Sequence, residues 1–177
     1  MVGVDGDPGI RGNPSLDAAV VGDLSHLPFA DRSFDLVFLR YVVEHLSRPL
    51  ATFRELRRIM TPGAHLLLQT PNRYHYVAIG AMLTPSRFHA WFNERRGRAK
   101  EDTFPTRYRA NDRRTLRKIA AGSGFNIIAL EMIEPKPAYL FFSSLAYRVG
   151  IAYERLVNSS PRLADLRCVI VADLEAR

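Results

Sequence analysis

The sequence predicts an α/β domain built on a mostly parallel sheet, and three observations carry that prediction. Phe34 to Leu39 is a short, nearly unbroken apolar run, the pattern of a strand buried on both faces. Leu50, Phe53, Leu56 and Met60 then recur at helical spacing. Ser47 stands where an N-cap belongs, Pro49 suits the first turn, and Thr61-Pro62-Gly63 is a stop signal. A second apolar run, His65 to Thr70, ends at Pro71. Strand, helix and strand in this order form a βαβ unit, which implies parallel strands joined by a right-handed crossover. Ligands of such sheets sit beyond the carboxyl ends of the strands. Arg40, Tyr41, Glu44 and His45 follow the first strand, and Gln69, Thr70 and Asn72 close the second.

The flanking elements extend this unit in both directions. Val2-Gly3-Val4-Asp5 reads as the end of a strand, and Gly6 to Pro14 as a turn-rich loop with at most one helical turn. Leu16 to Val21 reads as a short strand ending at Gly22-Asp23, and Leu24 to Arg32 as a connection. Residues 73–110 break the pattern. Tyr74, Tyr76, Val77, Ile79, Met82 and Leu83 are followed by Phe88, Trp91 and Phe92 at helical spacing, and then by a charged loop. An aromatic-rich insertion after a strand is either a lid over a site or a peripheral subdomain with its own core. Asn111 or Asp112 then caps a helix that ends at Gly122 or Gly124. Phe125 to Ile133 reads as a strand, Tyr139 to Val157 as an amphipathic helix and Arg167 to Leu174 as the last strand. One domain over 1–177 is expected, with 73–110 as insertion or lid and 111–177 as the second half of the sheet.

Composition narrows the function classes. The chain has 177 residues, 47% of them hydrophobic, which suffices for a single core. Its one cysteine, Cys168, excludes an intrachain disulfide framework, and no secretory signal pattern is visible, so a cytoplasmic setting is the expectation. No uncharged apolar stretch reaches the ~18 residues of a membrane span, although peripheral contact stays open. Net charge is +7. Between Arg87 and Lys118 there are 11 Lys or Arg against 4 Asp or Glu, so this segment alone carries a net +7. Such a segment is either a solvated face or a contact for nucleic acid, acidic head groups or a phosphorylated substrate. The five histidines lack the paired spacings of a metal site, and no nucleophile elbow or phosphate loop occurs.

The candidate chemistry lies at strand ends. Asp5, followed by Gly6, can accept two hydrogen bonds from vicinal ribose hydroxyls. Asp23 can take an amine proton donor such as an adenine amino group. Both can equally serve as turn caps. His45 suits a general base near neutrality, or is simply a histidine held by a backbone group.

Five blocks in order carry a resemblance. They are Val2-Gly3-Val4-Asp5, Gly22-Asp23-Leu24-Ser25-His26-Leu27-Pro28-Phe29, Ser33-Phe34-Asp35-Leu36-Val37, Val43-Glu44-His45-Leu46 and Arg57-Arg58-Ile59-Met60-Thr61-Pro62-Gly63-Ala64. Together they resemble the class I S-adenosylmethionine-dependent methyltransferases of the small-molecule group. Tyr108-Arg109-Ala110-Asn111 and Gly124-Phe125 resemble the second half of the same enzymes. The resemblance implies a Rossmann-like sheet with an antiparallel C-terminal strand and helices on both faces. It implies S-adenosylmethionine as cofactor, with Asp5 and Gly6 at the ribose, Asp23 and Leu24 at the adenine, and Arg40 and Tyr41 near the methionine and methyl end. His45 would lie near the acceptor, and Tyr74, Tyr76, Trp91 and Arg109 would shape the acceptor pocket. The acceptor would be a small molecule, glycan- or lipid-linked among the options.

The family pattern also calls for a first strand and a Gly-x-Gly-x-Gly loop ahead of Asp5, lying between the strands that end at Asp5 and Leu39. No such motif occurs in this sequence, so an N-terminally truncated form is expected. Three outcomes stand open: the flanking strands pair directly, a partner chain fills the gap, or the fold is marginal. Two other readings stand beside methyl transfer. One is a non-catalytic remnant acting as a binding or interaction module. The other is an RNA-modifying or nucleic-acid-binding protein, against which the aromatics carry no RNA-binding signature.

Overall fold

A computed structural model describes residues 1–83, 105–137 and 140–177. The readings at Phe88, Trp91 and Phe92, and the proposed helix start at Tyr139, lie outside the described residues.

The strands are β1 (Val2–Asp5), β2 (Ala18–Val21), β3 (Phe34–Arg40), β4 (Met60–Pro71), β5 (Phe125–Ile133) and β6 (Val169–Ala176). The α-helices among the described residues are α1 (Pro49–Ile59), α2 (Tyr76–Leu83), α3 (Arg113–Ser123) and α4 (Ser144–Asn158). β1 pairs with β2 in parallel as a two-stranded sheet. The second sheet has the order β3-β4-β6-β5; β3 and β4 are parallel, and β6 runs antiparallel to both its neighbours. The β3-α1-β4 crossover is the βαβ unit expected from residues 34–71.

The local details follow from the side chains. α3 begins at Asp112, whose Oδ1 accepts from Thr115 N at 2.8 Å. It ends at Gly124 with φ +86°, a left-handed conformation that glycine adopts without strain. Ser47 is not the cap of α1. Arg48 occupies that position without a side-chain bond, and the Ser47 carbonyl instead accepts from Arg109 Nη1 at 2.8 Å. Thr61-Pro62-Gly63 does not form a loop between helix and strand. α1 ends at Ile59 and β4 begins at once, because Phe34 pairs with Met60, and the register then shifts before Leu36 meets His65. Gly150, inside α4, has a packing reason. A Cβ there would lie 2.7 Å from Pro137 Cβ.

α1 and α3 cover one face of the four-stranded sheet. Phe53, Leu66, Leu116, Ile170 and Leu174 are fully buried there, and Phe53 meets Phe125 edge-on with ring centroids 6.3 Å apart. Each such side chain contributes roughly 1.5–3 kcal/mol. β3 is not buried on both faces, contrary to its apolar pattern. Val37 and Leu39 face the core, whereas Leu36 and Phe38 are each 59% exposed. Among the described residues no ladder joins β1 to β3, so the flanking strands do not pair directly. No helix among these residues is long and apolar enough to cross a membrane.

Candidate functional site

The parallel pairs β1-β2 and β3-β4 direct their carboxyl ends to loops that carry the candidate residues. Asp5 ends β1, and Asp23 follows its paired neighbour β2. The Asp5 carbonyl accepts from Gly22 N at 2.9 Å, so the two strand tips are joined just ahead of Asp23. Each carboxylate also orders its own loop. Asp5 Oδ1 accepts from Asp7 N at 2.9 Å, and Asp23 Oδ1 from Ser25 N at 2.8 Å. The Ser25 bonds hold the Asp23 carboxyl below the usual carboxylate range. Both acids are exposed, as is Gly6, while Leu24 packs against the core.

Tyr41, the residue after β3, has φ +55°. Its N–H donates to the Gln69 carbonyl at 2.8 Å, its hydroxyl accepts from Gln69 Nε2 at 3.2 Å, and Arg40 lies over its ring at 5.8 Å. These contacts fix an exposed phenol and a guanidinium at the strand end. His45 closes a 3-10 turn, Val43–His45, with Nδ1 3.2 Å from the Pro105 carbonyl. A carbonyl can only accept, so Nδ1 is the donor in this contact.

Several polar residues at these strand ends serve the fold. Glu44 is 4% exposed, and its carbonyl accepts from Arg107 N and Tyr108 N. Asn72, fully buried, donates to the carbonyls of Asp165 and Arg167, both at 2.7 Å. Of the expected acceptor residues, Tyr74 is half exposed and Arg109 is exposed and bonded to Ser47. Tyr76 turns into an aromatic cluster, 4.1 Å from the His75 ring and 5.0 Å from that of Tyr153. Trp91 lies outside the described residues. Cys168 is buried, and that burial pushes its thiol up to about 12, far from reactivity. Among the described residues no cluster is placed to hold a metal ion.

Sequence reasoning missed a cavity of about 490 Å³ beside Asn72, lined by Arg73, Tyr74, Arg113, Arg114 and Lys118 with Asp112 and Asp165. Its one local signal was Arg114 and Lys118 at a helical i, i+4 spacing just after the cap.

Residues 2–68 match the family model described as a methyltransferase domain. That span covers β1 through most of β4, and so contains every strand tip just described except the end of β4. Over residues 2–68 the chain is thus similar to the methyltransferase-domain family. A demethylmenaquinone methyltransferase of Chlamydia trachomatis is 40% identical over 47 residues, 27% of this chain and 20% of the relative. A malonyl-[acyl-carrier protein] O-methyltransferase of Erwinia pyrifoliae is 40% identical over 60 residues, 34% of this chain and 23% of the relative. The matched region is thus about a fifth to a quarter of these relatives' length. The crystal structure of an S-adenosylmethionine-dependent methyltransferase from Mesorhizobium loti superposes with a TM-score of 0.60 at 18% identity, covering 98% of this chain and 79% of that one. The methyltransferase fold therefore extends beyond residue 68 into the second half of the sheet.

Proposed function

We propose that this chain binds S-adenosylmethionine at the tips of β1 and β2 and serves methyl transfer to a small-molecule acceptor. The observation that carries the reading is the junction of Asp5 and Gly22, which sets Asp5 and Asp23 at adjacent strand ends. The donor chemistry of these residues fits the nucleoside end of the cofactor. Asp5 is an exposed carboxylate able to accept from ribose hydroxyls, and Asp23, kept ionised by Ser25, can accept from an adenine amino group. Leu24 supplies an apolar surface for the base. When bound, the cofactor supplies an electrophilic methyl group on a sulfonium.

The remaining residues position and deprotonate. Arg40 and Tyr41, fixed by Gln69, border the methyl end, and much of the rate comes from holding the acceptor in line. His45 is the base for an acceptor hydroxyl or amine that must lose its proton. Tyr74 and Arg109 border the acceptor space. The relatives' names span a demethylmenaquinone, a malonyl acyl-carrier protein and a tRNA, so the acceptor class rests on the site and not on those names.

Titration calorimetry with S-adenosylhomocysteine tests the reading. Binding is expected in the parent chain, and at least tenfold weaker binding in Asp5→Ala, since a hydrogen bond to a charged group contributes about 1.5–3 kcal/mol. Equal affinity in both proteins would refute it.

A second reading has its own observation. Among the described residues β1 and β3 each present an unpaired edge, and Leu36 and Phe38 stand exposed beside the β3 edge. A partner segment entering as a parallel strand would satisfy both edges. The chain would then be an interaction module whose sheet is completed on assembly.

A further inference from the structure

We propose that the cavity between the end of β4 and α3 is a phosphate subsite. Its walls come from three segments: Arg73 and Tyr74 follow β4, Arg113, Arg114 and Lys118 stand on α3, and Asp165 lies in the 3-10 turn Pro161–Leu166. Four cations and two acids, Asp112 and Asp165, line it.

Both acids are already engaged. Asp112 Oδ1 accepts from Thr115 N and Oδ2 from Thr115 Oγ1, each at 2.8 Å, so this carboxylate serves as the helix cap. Asp165 Oδ1 lies 3.1 Å from Arg113 Nε, an ion pair outside hydrogen-bond geometry. Arg73 reaches the Tyr108 carbonyl at 3.4 Å and lies over the Tyr74 ring at 5.7 Å. Arg114 and Lys118 make no ion pair with any described residue, and both are exposed. At i and i+4 they are neighbours on one helix face, where like charges repel by roughly 0.2–0.5 kcal/mol. An anion between them removes that repulsion.

The helix N-terminus does not carry the proposal, since Asp112 already occupies it. Two cations without an ion pair among the described residues, Arg114 and Lys118, surround one concavity with Arg73 from the segment after β4. Arginine offers a planar donor fork and lysine a point charge, which together suit a phosphate oxyanion. A volume of about 490 Å³ exceeds one phosphate and leaves room for the molecule that bears it. The cavity opens beside Tyr74, at the same carboxyl ends of the strands as Tyr41 and Gln69. The phosphate would thus belong to the acceptor, a step that rests on the methyl-transfer reading. Phosphate binding itself does not.

The test titrates inorganic phosphate into the full chain at constant ionic strength, followed by phosphorus NMR. Saturable binding is expected in the parent chain and in Arg117→Ala, which alters an exposed cation of α3 outside the cavity. The double variant Arg114→Ala, Lys118→Ala should bind about tenfold more weakly. Alanine favours the helix, so this variant should fold, and its melting curve checks that. No binding by the parent chain, equal binding by the double variant, or equally tight binding of acetate would each overturn the proposal. Phosphate binding without S-adenosylhomocysteine binding keeps the subsite and refutes methyl transfer; the converse outcome does the reverse.

Discussion

Thr70 Oγ1 donates a 2.9 Å hydrogen bond to Glu44 Oε2, and neither side chain reaches solvent appreciably. Asn111 Nδ2 donates in turn to Thr70 Oγ1 at 2.7 Å and to the Pro71 carbonyl at 2.9 Å. This chain of bonds ties the loop after β3, the end of β4 and the segment before α3 into one unit beneath the candidate site.

Removing the middle link should be costly. Thr70→Val keeps the volume but leaves a buried Glu44 oxygen and an Asn111 donor without partners. A loss of about 1–3 kcal/mol is expected for a buried group left unpaired. Urea unfolding measures it, with an unchanged m-value if only the native contact is lost.

Glu44 itself carries a pH signature. Burial raises its carboxyl above the ordinary glutamate value, against smaller opposing effects of its hydrogen bonds and His45. A raised acid binds more protons folded than unfolded, so its ionisation lowers stability as pH rises from about 4.5 through the folded value. Glu44→Gln, which can still accept from Thr70, should remove this fall. Melting temperatures of both proteins at pH 4 and pH 7 check it, and the variant should gain at pH 7 relative to pH 4.

Glu55 has the opposite sign. Its bonds to Arg58, 2.7 and 2.9 Å, hold its carboxyl down at about 2, with a further contribution from Leu27 N at 2.8 Å. Its stabilisation is therefore present above the unfolded value near 4.5 and is lost as pH falls towards about 2. Arg58 also donates to the carbonyls of Phe29 and Leu27 and to Asp31, so the pair anchors the connection after β2 to α1. Glu55→Gln should lower the melting temperature at pH 7 and flatten the acid limb between those two values.

Tyr41 tests backbone strain at the site. With φ +55°, a residue bearing a Cβ costs roughly 1 kcal/mol there. Tyr41→Gly should therefore be more stable than Tyr41→Ala by about that amount, a reversal of the usual order. Denaturant midpoints of the two variants decide it.

Phe53 reports on the core. It is fully buried against Phe125, so Phe53→Ala should cost about 3–5 kcal/mol. Loss of the cooperative melting transition near room temperature is the expected readout.

Residues 34–71 and the ends of α3 were legible because their signals are local. The apolar run of β3, the helical period of α1 and the Asp112 and Gly124 boundaries of α3 depend on neighbours within a turn or two. The same holds for Asp5 and Asp23, each placed by a strand end that its own flanking residues announce. Boundaries failed where a distant partner intervened. Met60 joins β4 because Phe34 pairs with it.

Sequence by itself determined the strands, the helices α1, α3 and α4 and the acidic strand tips, because each is written in short-range periodicity and spacing; α2 was not among them. Only the tertiary structure decided which surfaces meet. It left β1 and β3 unpaired with each other, exposed Leu36 and Phe38, and joined Glu44 to Thr70 across 26 residues and Thr70 to Asn111 across 41. It also brought Arg73 against Arg114 and Lys118 around one cavity. Those relationships arise from the packing of elements far apart in the chain, and no local pattern encodes the distance between them.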